Sequence, residues 1–156
     1  MTCTALRPVH SFGMRAMSRP PADSPQSELL DDGRPTGISV PGVVLEAQYT
    51  CGEWHLLFTT EDVPFEEALH ILLLDRQLHR LDDVELSHLY AAGALTGLET
   101  SGDEPAARFS FFGGDRWELR VLSAPRRLSR SEAPVGVKAR VSRMLTPKYL
   151  ALSRLL

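Results

Sequence analysis

Residues 69–74, LHILLL, are apolar at every position except His70. Successive side chains of a strand point to opposite faces, so a run with leucine or isoleucine on both faces has no side to give to water. The run therefore predicts a central strand covered on both sides. Asp75-Arg76-Gln77 supplies a turn, after which Leu78 to Leu86 returns antiparallel. A short helix is the competing reading here, with Asp82 and Glu85 as a capping box and Gly93 as its end; the strand is preferred.

Upstream, VVLEAQYTCGEWHLLF (43–58) alternates in two halves. Val43, Leu45, Ala47 and Tyr49 share one strand face, and Trp54, Leu56 and Phe58 share another. A two-residue turn at Cys51-Gly52 sets Tyr49 opposite Trp54, Ala47 opposite Leu56 and Leu45 opposite Phe58. Downstream, FSFFGGDRWELRVL (109–122) repeats the pattern. A three-residue loop at Gly113-Gly114-Asp115 sets Phe111 opposite Trp117 and Phe109 opposite Leu119. Both tryptophans then pack against an aromatic beside a turn, and core packing is the preferred role for each. A further strand over Leu95 to Thr100 brings the total to about seven. The fold predicted for residues 42–124 is all-β, a mainly antiparallel sandwich or small barrel.

The flanks read differently. Residues 1–41 are rich in proline and lack periodicity, as expected of a disordered leader and linker. After Pro125, eight basic residues face a single acid, Glu132, a net charge of +7, whereas residues 41–125 hold five basic and fifteen acidic residues, a net charge of −10. Val137, Val141, Met144 and Leu145 fall at helical spacing, Thr146-Pro147 resembles a helix start, and Tyr149 to Leu156 suits a second short helix. Residues 125–156 are thus predicted to be a basic helical C-terminal tail docked on an acidic β domain.

The longest purely apolar run, Ile71 to Leu74, is far short of the roughly 20 residues a membrane-crossing helix needs. Cys3 and Cys51 lie far apart in unlike contexts, so no disulfide is expected and a reducing cytoplasm fits best. Catalytic motifs are absent: the five histidines show neither zinc-finger nor HExxH spacing, Cys51 has no basic neighbour, and Gly113-Gly114 joins two strands instead of opening a helix. No metal or cofactor is expected.

Glu61, Asp62, Glu66 and Glu67 cluster in TTEDVPFEEA (59–68). On charge asymmetry they are the candidate surface for a basic protein partner, which makes the chain a small non-enzymatic cytoplasmic interaction module of inhibitor or immunity type. The alternative is a small-molecule-binding barrel or enzyme whose cavity gathers His70, Asp82, Trp117 and the acidic loop. A third reading binds a polyanion through the basic tail, against the repulsion of a −10 domain. Membrane binding through the tail is disfavoured by its proline and short length.

Overall fold

The structure, a computed structural model, describes residues 2–18, 24–63, 65–88, 92–126 and 148–155. Leu69–Leu74 is β7, and all six of its residues are buried. Its neighbours are β6 (Trp54–Thr60) and β8 (Arg80–Leu86), both antiparallel to it. With β5 (Val44–Cys51) and the two-residue β1 (Arg7–Pro8) they form a five-stranded sheet in the order β1-β5-β6-β7-β8.

This sheet is the middle of three layers. Leu69, Ile71 and Leu73 of β7, with Leu56 and Phe58 of β6, pack against Ala107, Phe109, Trp117, Leu119, Val121 and Leu150. Those residues belong to a four-stranded sheet ordered β12-β11-β10-β9, built from β9 (Thr96–Thr100), β10 (Ala106–Ser110), β11 (Trp117–Arg126) and β12 (Lys148–Arg154). On the other face, Leu57, Leu72 and Leu74 pack against Phe12, Leu29 and Val40. These come from a three-stranded sheet of β2 (Phe12–Ala16), β3 (Gln26–Asp31) and β4 (Arg34–Pro41). Each face of β7 thus has its own cover, as a run without a polar face requires.

The fold class read from sequence is corrected in number and kind. Among the described residues twelve strands form three sheets, in place of one seven-stranded sandwich or barrel, and there is no helix. The segment read as a disordered leader supplies β1 to β4. Tyr149 to Arg154, read as a helix, lies in strand β12, which pairs antiparallel with β11. The helical spacing at Val137, Val141, Met144 and Leu145 lies outside the described residues.

Registers also differ from expectation where the turns fall elsewhere. In the β5–β6 hairpin the turn is Gly52-Glu53, so Tyr49 pairs with Leu56 and Ala47 with Phe58. Ala47 and Tyr49 keep their expected face, but a register shift between Leu45 and Ala47 turns Leu45 to the opposite face, against the core of the three-stranded sheet. Between β10 and β11 the loop is longer than three residues, and Phe109, not Phe111, pairs with Trp117. Asp115 holds this loop by accepting hydrogen bonds from Phe111 N at 3.0 Å, Phe112 N at 3.1 Å and the Trp117 indole N–H. Gly113 and Gly114 take φ values of 80° and 70°, left-handed conformations that glycine adopts without a side-chain clash. Finally, Cys3 and Cys51 form a disulfide with Cα atoms 4.9 Å apart, so the expectation of unpaired cysteines is overturned. Both residues are buried in the larger core.

Candidate metal site

Three neighbouring strands of the middle sheet deliver the candidate ligands at one end. Glu61 follows the last residue of β6, His70 is the second residue of β7, and Glu85 is the penultimate residue of β8. His70 pairs directly with Thr59 on one side and Glu85 on the other. Its side chain shares a face with Leu72 and Leu74, toward the three-stranded sheet. That sheet closes over Thr59, whose hydroxyl donates to the Pro41 carbonyl at 2.8 Å.

The result is a buried imidazole between two carboxylates. His70 Nε2 lies 2.6 Å from Glu61 Oε2, and Nδ1 lies 3.8 Å from Glu85 Oε1; the side chains are 7%, 14% and 13% exposed for His70, Glu61 and Glu85. The shorter contact is a hydrogen bond, and the longer one exceeds hydrogen-bond distance. One donor atom from each residue lies within 4.8 Å of the other two. Imidazole nitrogen and carboxylate oxygen bind zinc at about 2.0–2.2 Å, which in a tetrahedral site puts ligand atoms roughly 3.3 Å apart. Loading an ion therefore requires the Nε2–Glu61 contact to open by roughly 0.7 Å and its proton to leave, a rotamer-scale change.

His70 stands out in the sequence, but its cross-strand partner differs from the one the turn implies. A three-residue turn at 75–77 places Asp82 opposite His70. In the structure Asp75 Oδ1 accepts from Gln77 N at 2.9 Å and His79 N at 2.8 Å, which lengthens the connection, and Leu74 pairs with Arg80. A bulge at Leu81 adds one more residue, and Glu85 arrives opposite His70. Asp82 points to the other face of the sheet, where its Oδ2 accepts from Tyr149 N and Leu150 N, both at 2.9 Å, and so ties β8 to β12. Trp117 is 1% exposed in the core on that same face. His70, Asp82 and Trp117 therefore do not line one pocket. An open groove of about 540 Å³ lies between β5 and β9, bordered by Ala47, Tyr49, Leu98 and Thr100, and it contains none of the three.

The four acidic residues read as one surface patch separate into different roles. Asp62 and Glu66 are exposed. Glu67 is 7% exposed and spends both carboxylate oxygens on backbone amides: Oε1 accepts from Glu61 N at 2.7 Å and Ala68 N at 3.0 Å, and Oε2 from Val63 N at 3.2 Å. Glu61 holds His70. The cluster overturns the reading of the chain as a purely non-enzymatic interaction module, and with it the leaning against an enzyme, because a buried His-and-two-Glu set is suited to metal or ligand chemistry. No protein-family model, curated protein or solved structure matches the chain. No helix among the described residues is long and apolar enough to cross a membrane.

Proposed function

We propose that the chain binds one divalent transition-metal ion through His70, Glu61 and Glu85 and uses it to hold or activate a small oxygen-donor ligand. The observation that carries this is the convergence of three donor atoms within 4.8 Å in a site that is mostly buried. One imidazole and two carboxylates suit Zn²⁺ or Mn²⁺ and leave at least one coordination position open, the hallmark of catalytic rather than structural sites. An ion there supplies a Lewis acid and a bound water of lowered pKa, so metal-assisted hydrolysis is the reaction class the site supports best. His70 supplies the buried nitrogen donor; Glu61 and Glu85 bring two negative charges to offset those of the ion. A metal-free acid–base role for the His70–Glu61 pair is the second reading, since a carboxylate hydrogen-bonded to one ring nitrogen can orient the imidazole, but the second carboxylate, Glu85, facing Nδ1 at 3.8 Å favours a cation in the site. The Cys3–Cys51 bridge favours an oxidising compartment over a reducing cytoplasm.

Calorimetric titration of the purified, chelator-treated protein with Zn²⁺ and then Mn²⁺ tests the proposal. One ion per chain is expected for wild type, with binding abolished or weakened by His70→Ala and Glu85→Gln. Absence of binding by wild type, or wild-type affinity in His70→Ala, overturns it.

A further inference from the structure

Glu67 is adjacent to none of the three candidate ligands in the sheet, yet it organises the loop that presents one of them. Residue 62 explains how. Asp62 has φ of 60°, a left-handed conformation that is uncommon outside glycine and better tolerated by Asp and Asn than by most residues. A left-handed residue between two ordinary ones turns the flanking amides inward, forming an anion-binding concavity. Those amides belong to Glu61 and Val63, and the anion they receive is the carboxylate of Glu67, which also takes the amide of Ala68. A buried carboxylate satisfied by three backbone donors fixes the backbone that surrounds it. The backbone fixed here includes Glu61, whose side chain reaches His70 Nε2 at 2.6 Å.

We infer that Glu67 is the positioning residue of the metal site: it holds the loop through the concavity at Asp62 and so sets where the Glu61 carboxylate meets His70. This rests on the metal-site reading above. Glu67 touches neither the ion nor a bound small molecule in this scheme; it acts through the backbone of Glu61, as outer partners of metal ligands do. Its role also accounts for why an apparent acidic patch contains a buried member. Glu67 would be a poor choice for contacting a partner but a suitable one for closing a loop.

The test compares wild type with Glu67→Gln and Glu67→Ala in the full chain, using two readouts. The first is Zn²⁺ affinity, expected to fall about 10–100-fold in either variant, the usual effect of removing an outer-shell partner. The second needs no metal: the ¹⁵N shifts of the His70 ring and the amide shifts of Glu61 and Val63, all expected to move away from their wild-type values. Glu67→Gln preserves size and one acceptor oxygen, so it keeps the experiment decisive if Glu67→Ala does not fold. A folded variant with wild-type Zn²⁺ affinity and unchanged His70 ring shifts overturns the inference. Shifts that move in a protein whose wild type binds no Zn²⁺ sustain the positioning role and overturn the metal reading instead.

Discussion

Asp115 shows how much a single carboxylate settles. Burial alone would raise its pKa, but hydrogen bonds from the Trp117 indole and from the Phe111 and Phe112 amides outweigh burial, and the net shift is downward from 3.8. A group whose pKa is depressed by folding stabilises the fold above its unfolded value, and that contribution disappears as pH falls through the folded value. Asp115→Asn is therefore expected to lower stability at pH 7 by about 1–3 kcal/mol, the range for disrupting a buried hydrogen-bonded group. Urea unfolding should show the gap between wild type and variant narrowing as the pH is taken below 3.8; a gap independent of pH would contradict the assignment. The core position of Trp117 was legible from the alternating pattern around it. The roles of Asp115 and Glu67 were not, because a carboxylate that folds back onto nearby amides looks the same in sequence as one that faces solvent. His70 stood out as the polar exception in β7, but its partner depended on two extra loop residues and a bulge at Leu81, neither of which has a sequence signal of its own.

β7 demands more cover than the strands after residue 42 can give it. Six residues without a polar face require two covers, and a seven-stranded sandwich offers one. The second cover lies in the proline-rich segment, where proline reads in sequence as a mark of disorder. Pro8 lies in β1 and Pro35 and Pro41 in β4, each an edge strand of its sheet, the position where a residue lacking a backbone N–H is tolerated. At the other end a Thr-Pro pair reads as a helix start, yet Lys148–Arg154 buries Lys148 and Leu150 with strand alternation, and Asp82 secures the amides of Tyr149 and Leu150 from a distant part of the chain. If the three-stranded sheet is integral, Leu29→Ala, at a fully buried position of β3, should cost about 2–5 kcal/mol. A denaturation midpoint unchanged from wild type would mean that β2 to β4 contribute no core.

Taken whole, the molecule is three layers closed by specific links: Asp82 to β12 on one side of the middle sheet, Gln48 to Phe12 on the other, and the Cys3–Cys51 bridge holding the N-terminal segment to β5. The bridge spans a sequence separation of 48, and a loop of that size is worth about 4 kcal/mol of unfolded-state entropy. Reduction by dithiothreitol should lower the thermal midpoint accordingly, whereas identical melting with and without reductant would mean the two thiols are not bonded. The layers also explain the placement of the candidate site, since the middle sheet brings its three strands to one end under the cover of β4, with His70 at 5% exposure. The most direct measurement is anomalous diffraction at the zinc edge from crystals of the intact chain grown with Zn²⁺. A single strong peak within about 2.0–2.2 Å of a His70 ring nitrogen and of a carboxylate oxygen from each of Glu61 and Glu85 is the result expected. A fully formed Glu61–His70 hydrogen bond with no anomalous density beside it would contradict the account.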